Sequence, residues 1–464
     1  MTKNRHVSLL LAISSFAFCI PASSQPPKAE FMSLESAQPV LRTFSATLPP
    51  ELRNEPNEVQ WQAWVQAQDA SIRQRLVTGE EDTLTNLLRF GVSYTKEYQI
   101  DREYLAKYGN STLVNAFAEN RANDLIHALA SSNANEGIKQ MRAFLIQRGY
   151  SFKTTSDRAR VKKLLLDNLA RMRDEFAQFH EELQSAGPAE ASHVYAQRGI
   201  SLDSNLWPDY ALDRTLAELV NGGLLKPGSI RRIAIIGPGL DFANKEYGND
   251  FYPPQSIQPF AVLDSLIRLG LTDPKSYQLY TLDISPSVNI HLARAHSNAA
   301  AGKPYVVQLP WVSAAPFNKE YLAGFEAYWR ALGSQIGAPA EPVAVPLQVV
   351  EHTQIRAVSV RPEIARRVTP VDMNIVFQHL SATDPDQKFD LIVGTNIFIY
   401  YAAFEQSLAR VNLAAMLTPG GFALTNDLLD DKATSHLEEA HRTIIEISSQ
   451  PQVFDRIYCY RRQP

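Results

Sequence analysis

The stretch "RRIAIIGPGLDF", Arg231 to Phe242, runs from two basic residues through four apolar ones to Gly-Pro-Gly and a carboxylate. An apolar run of this length, followed at once by glycines, predicts a strand covered on both faces and a sharp turn off its C-terminal end. In an open α/β sheet that edge is where ligands sit, beside the first crossover. The texture downstream supports such a sheet. "SIQPFAVLDSLIRLGL" and "PSVNIHLARAHSNAAAG" read as helices, and "SYQLYTLDIS" and "KPYVVQLPWV" as strands. Then come a helix in "NKEYLAGFEAYWRALGSQIG", strands in "ARRVTPVDMNIV" and "KFDLIVGTNIFIYY", and a helix in "EQSLARVNLAAMLTPGG". "FALTND" reads as a strand, "SHLEEAHRTIIEISS" as a helix and "VFDRIYCYRR" as a last strand. Strands alternating with helices predict an α/β, Rossmann-like, doubly wound and mostly parallel sheet over 230–464.

Upstream the period changes. "EVQWQAWVQAQDASIRQRLV" puts Val59, Ala63, Val65, Ile72 and Leu76 near one side of a helix, and "STLVNAFAENRANDLIHALAS" and "RVKKLLLDNLARMRDEFAQFHEELQ" repeat the pattern. An all-α domain is expected over 25–190, then a connector and lead-in helix over 191–229 that ends at a glycine stop. Trp61 and Trp64 fit core anchors better than a ligand cage. His127, His180 and His193 lack metal-ligand spacing. Residues 1–24 place Lys3 and Arg5 before "VSLLLAISSFAFCI" and "PASSQ", the order of a secretory signal peptide cleaved after Ser24. An exported or envelope-associated chain is therefore expected, with no transmembrane helix once the leader is removed. Phe18 before Cys19 fits lipoprotein processing poorly, and Cys459, then alone, reads as a packing residue. With 464 residues, a formal charge of −4 and 45% apolar residues, the chain has room for two cores and no net basic character that would suggest nucleic acid.

The glycine turn has several conceivable ligands. A dinucleotide site wants a third small residue where Phe242 stands, and Asp241 would repel a pyrophosphate. The phosphate-loop pattern is absent. A carboxylate suits a cationic ligand, and S-adenosylmethionine carries a sulfonium and an ammonium. Asp283, ending "YTLDIS", is placed to accept from ribose hydroxyls. Asp372 in "TPVDMNIV" is placed to accept from an adenine amino group, with Met373 lying on the ring. Gly237 and Gly239 make the turn.

Together these features resemble the class I S-adenosylmethionine-dependent methyltransferases, most closely in "FDLIVGTNIFIYYAAFEQSLARVNLAAMLTPGGFALTND". "TNIFIYY" is similar to a short stretch of the chemotaxis-receptor glutamate methyltransferases. The resemblance covers the second half only. It implies S-adenosyl-L-methionine as cofactor, with Gly237, Gly239 and Asp241 at the methionine end, Asp283 at the ribose, and Asp372 and Met373 at the adenine. Asn396 would face the acceptor, or would only satisfy loop backbone. Family turns carry an acid where Ile235 stands and a third glycine where Asp241 stands. Asp241 then supplies the charge from a displaced position, or the turn binds more weakly. "NKEYGNDFYPPQSIQP" is a lid or substrate loop, or a surface insertion. Tyr247, Tyr252, Tyr400 and Tyr401 close the pocket or fill a core.

No general base stands out among His291, His296 and His379, so the acceptor, a small molecule or a protein with an O or N nucleophile, stays unnamed. The helical half is expected to meet a protein partner. Two rival readings remain: a non-catalytic exported scaffold that keeps the fold, and an NAD(P) oxidoreductase. The leader conflicts with a methyl donor made in the cytoplasm.

Overall fold

The computed structural model describes residues 28–100, 112–185, 198–241, 250–312, 320–381, 385–429, 436–449 and 452–464. The leader, His193, Phe242 and Tyr247 lie outside them. After a short first strand, the described residues up to 221 form the helices α1 (Leu34–Thr43), α2 (Glu58–Phe90), α3 (Thr112–Ala130), α4 (Glu136–Gln147), α5 (Thr155–Ser185) and α6 (Leu206–Asn221). The 33-residue α2 starts at a capping box: Asn57 Oδ1 accepts from Gln60 N at 3.0 Å while Asn57 N donates to Gln60 Oε1 at 2.9 Å. Its buried stripe is Trp61, Trp64, Val65, Ile72 and Leu76. Val59 and Ala63, expected on that stripe, are exposed, because the two tryptophans set the inward face one step round the helix. Trp61 and Trp64 stack at 5.4 Å, and Trp61 Nε1 donates to Met32 O at 2.8 Å.

One end of α2 lies in a core shared with the sheet. The other end, with Leu84, Leu87 and Leu88, joins a second core built from Leu125 and Leu129 of α3, Met141 and Leu145 of α4, and Val161 and Leu165 of α5. Helix α6 begins at Leu206, where Asn205 Oδ1 accepts from Trp207 N at 3.1 Å and caps the first turn.

The strands are β1 (Ala29–Phe31), β2 (Arg232–Ile236), β3 (Gln278–Asp283), β4 (Tyr305–Val312), β5 (Gly337–Ala340), β6 (Thr353–Val360), β7 (Val368–Asp372), β8 (Gln378–Leu380), β9 (Phe389–Gly394), β10 (Leu417–Thr425), β11 (Leu437–Ser449) and β12 (Gln452–Arg462). Seven form one sheet in the order β11-β12-β10-β9-β2-β3-β7. From β10 to β7 every pairing is parallel, and only β12 runs against its neighbours. The chain lays down β2, β3 and β7 toward one side, then returns to place β9 and β10 on the other. The order therefore reverses between β2 and β9, the switch point where a doubly wound sheet opens a crevice. Helices α7 (Gln258–Arg268), α8 (Pro286–Ala300), α9 (Ala323–Ala331) and α10 (Ala403–Met416) complete the Rossmann-like layer. Residues Ile233 to Ile236 are buried, as a strand covered on both faces requires.

Several elements differ from the sequence reading, among them "LTPGG", read with the preceding helix but part of β10. "SHLEEAHRTIIEISS" is not a helix: it forms β11, paired antiparallel with β12. Thr443 and Ile447 are buried while Arg442, Ile444 and Glu446 face out, a period of two that the helix-forming Leu-Glu-Glu-Ala start conceals. "KPYVVQLPWV" is a strand but lies outside the parallel sheet, in a three-stranded antiparallel sheet of order β4-β6-β5. Strand β1 crosses to pair with β8, tying residues 29–31 to the second half.

Candidate functional site

Gly237 and Gly239 both adopt left-handed backbone, with φ of +58° and +70°. An added Cβ at Gly237 would meet Ile397 Cδ1 at 2.1 Å, and one at Gly239 would meet Leu202 O at 2.6 Å. Glycine is thus required at both positions on conformation, and at Gly239 on space as well, because a backbone carbonyl stands in the way. Leu240 N donates to Leu202 O at 2.7 Å, so the segment 200–205 is strapped against the turn.

Beside the turn, at the switch point, is a cavity of about 300 Å³. Its base is Ile236 to Gly239 and Leu282 to Ile284, with Met373 and Ile375 from the loop after β7. Thr395 to Ile397 and Ile399 to Tyr401 follow β9, and Leu76 of α2 with the segment 200–205 covers it. Asp283 Oδ1 accepts from Ser285 N at 2.7 Å, and the carboxyl also accepts from Gly239 N. Burial, the largest influence, pushes this carboxyl up to about 7. Met373 N donates to Asp283 O at 3.2 Å, which sets the buried Met373 beside the carboxylate. The charged lining residues among those described are Asp203 and Asp283, and no lysine or arginine joins them.

The cover is built by two glycines that interlock. A Cβ on Gly79 would lie 1.8 Å from Ile200 O, and one on Gly199 would lie 2.5 Å from Gly79 N. Arg75 fastens the same region: its Nε donates to Arg198 O and an Nη to Tyr400 O, both at 2.9 Å. The helical region therefore supplies one wall of the site, a feature that periodicity alone does not reveal.

The structure brings together Gly237, Gly239, Asp283, Met373 and Asn396. Asn396 takes a left-handed φ of +58°, and its N donates to Asn426 Oδ1 at 2.7 Å while its Oδ1 accepts from Asn426 Nδ2 at 2.9 Å. Behind it, Gln258 Nε2 bridges Thr395 Oγ1 at 2.8 Å and the buried Asp209 Oδ1 at 3.3 Å. Tyr400 and Tyr401 line the cavity; Tyr252 does not.

Two expected residues are displaced. Asp241 turns into the interior, where its carboxyl accepts from Tyr252 Oη at 3.2 Å and Gln255 Nε2 at 3.3 Å, and burial pushes it up to about 7. The Asp241–Gln255 bridge fixes that direction, and Asp241 is not among the described residues that line the cavity. Asp372 is held outside the cavity by Arg73, whose Nη lies 2.7 Å from its Oδ1, so of the Asp372–Met373 pair only Met373 lines the cavity.

The three histidines are engaged elsewhere: His291 with Tyr305 Oη at 2.8 Å, His296 with Val368 O at 3.0 Å and His379 with Asn412 Oδ1 at 3.3 Å. Cys459 is buried and pushed up to about 12, which makes its thiol inert. Among the described residues no group of three or more His, Cys, Asp or Glu is arranged for a metal, and no helix is long and apolar enough to cross a membrane. Asp203 was missed because it sits in an irregular connector, where no periodic signal draws attention to it.

Comparison with protein-family models and with curated proteins finds no match. Solved structures that align include the N-methyltransferase NodS from Bradyrhizobium japonicum WM9 in complex with S-adenosyl-L-homocysteine, at 13% identity over 62% of this chain and 99% of that one, TM-score 0.27. Magnesium protoporphyrin IX methyltransferase (ChlM) from Synechocystis with bound SAM aligns at 12% identity over 62% and 97%, TM-score 0.26. MtNAS in complex with MTA and tNA aligns at 10% identity over 86% and 98%, TM-score 0.25. At scores of this size the fold rests on the strand order, and the chemistry on the cavity.

Proposed function

We propose that the chain binds S-adenosylmethionine in the switch-point cavity and is a methyltransferase acting on an O or N nucleophile. One observation carries this reading: the crevice of a doubly wound sheet is lined, among its described charged residues, by carboxylates alone. A cation gains from that field, whereas a pyrophosphate needs positive charge or free N–H groups. The NAD(P) reading is disfavoured on the same ground. The donor supplies a methyl group on positively charged sulfur.

The chain's own residues would do the rest. Gly237 and Gly239 let backbone approach the ligand, Asp283 accepts from the ribose hydroxyls, and Met373 with Ile375 offers an apolar face to the adenine. Leu76, Ile397 and Tyr401 exclude water, and Thr395 and Asn396 stand on the acceptor side. With no His, Lys or Cys among the described lining residues, the rate would come from alignment and desolvation of an acceptor that is already nucleophilic.

That same lack of a base favours a second reading, an exported scaffold that keeps the fold without the chemistry. The proposed leader over 1–24 favours the scaffold as well, since export would carry the chain away from a donor made in the cytoplasm. Calorimetric titration with S-adenosylhomocysteine separates them. Saturable micromolar binding, absent with NADH, supports the donor site; no heat at millimolar ligand leaves the scaffold.

A further inference from the structure

Family resemblance implies an acid at Ile235, but Ile235 lies fully buried inside β2 and offers no charge to the donor's amino-acid end. Asp241 faces Tyr252 and Gln255. The cavity nevertheless has a carboxylate besides Asp283, and it comes from the connector. Asp203 follows Leu202, whose carbonyl packs on Gly239 and accepts from Leu240 N at 2.7 Å.

Helix α2 orients this carboxylate. Asn86 Nδ2 donates to Asp203 Oδ2 at 3.3 Å and Thr83 Oγ1 to Oδ1 at 3.4 Å, and Ser201 Oγ adds a bond at 3.3 Å. These three donors are neutral, and they fix the direction of the carboxylate. The next residue, Ser204, also lines the cavity, rests its Cβ 3.3 Å from where a Gly239 side chain would begin, and has a buried Oγ with no hydrogen-bond partner. A buried hydroxyl left unbonded costs free energy that a ligand acceptor would recover.

We infer that Asp203 and Ser204 form a clamp for an α-amino acid group, Asp203 accepting from the ammonium and Ser204 donating to the carboxylate. The inference rests on the methyl-donor reading of the cavity. It makes the segment 200–205, held down by the Gly79–Gly199 contact, a specificity element supplied from outside the sheet. The pocket would then distinguish donors that keep the amino-acid tail from those that have lost it.

Two ligands that differ mainly in that tail test it. In the wild-type chain, S-adenosylhomocysteine binds at least about tenfold tighter than 5′-methylthioadenosine. Asp203→Asn removes most of that difference, weakening S-adenosylhomocysteine by about tenfold or more while 5′-methylthioadenosine stays within about threefold. Ser204→Ala has a smaller effect of the same kind, about two- to fivefold. Retained 5′-methylthioadenosine binding shows the variants are folded. Equal wild-type affinity for the two ligands overturns the clamp whatever the variants do. So does an Asp203→Asn variant that weakens neither ligand or both alike. A wild-type chain that binds neither ligand removes the donor reading itself.

Discussion

At the carboxyl edge of the seven-stranded sheet the chain folds back over itself, and α2 with the segment 200–205 closes a cavity whose charged lining residues are Asp203 and Asp283. At the amino edge the described residues form no such cover. A groove there is lined by Arg231, Arg232, Arg367 and Lys388 with Asp386 and Asp390. Asp390 Oδ2 accepts from the N–H groups of Arg231 and Arg232 at 2.7 and 2.9 Å, and burial together with Arg462 lowers the Lys388 ammonium. One sheet thus presents a covered, negative end and an open, largely positive one. What separates them is not the strands but the connector laid over one end, so charge and enclosure are set by sequence far from the glycine turn.

Removing the cover should have the largest effect. Gly79→Ala drives a methyl into the Ile200 carbonyl, and about 3 kcal/mol of stability is expected to go with it, read by urea denaturation, along with donor binding. An unchanged denaturation midpoint would mean that the two segments are not locked together. Next comes Asp283→Ala, which should weaken S-adenosylhomocysteine by about 1–3 kcal/mol through lost charge-assisted bonds; calorimetry showing wild-type affinity in a folded variant removes Asp283 from the site.

The pH dependence follows from burial. Donor binding favours the ionised Asp283, which burial has pushed up to about 7, so affinity should rise about tenfold per pH unit below that value and level off above it. Stability of the free chain should run the other way. Asp209, Asp241 and Asp283, each raised to about 7, keep protons in the folded state that the unfolded chain gives up near pH 4. Their contribution is present below about pH 4 and is lost as pH rises through about 7, so Tm should fall across that window. A Tm that climbs from about pH 5 to 7.5 contradicts the assignment. The smallest effect belongs to the amino edge: Arg232→Ala should change donor affinity by less than about 0.5 kcal/mol.

Much of the sheet was legible because a buried parallel strand needs an apolar run, and "IAII" and "LIV" supply one at the centres of β2 and β9. The glycine turn, Asp283 and Met373 were legible for a related reason: position at a strand end follows directly from the strand. Direction of a side chain does not. Asp372 ends β7 as expected, yet Arg73, 299 positions away in sequence, draws it out of the cavity. Asp241 follows the turn, yet Tyr252 and Gln255 turn it inward. Asp203 was invisible because irregular chain has no period, and its importance comes from a close contact between Gly79 and Gly199 that only packing creates.

Crystals grown with S-adenosylhomocysteine test the central claim most directly. The account predicts adenosyl density in the cavity between Met373 and Ile397, with a ribose hydroxyl at hydrogen-bonding distance from the Asp283 carboxyl. An empty cavity at saturating ligand, or the ligand seated anywhere other than the switch point, would contradict it.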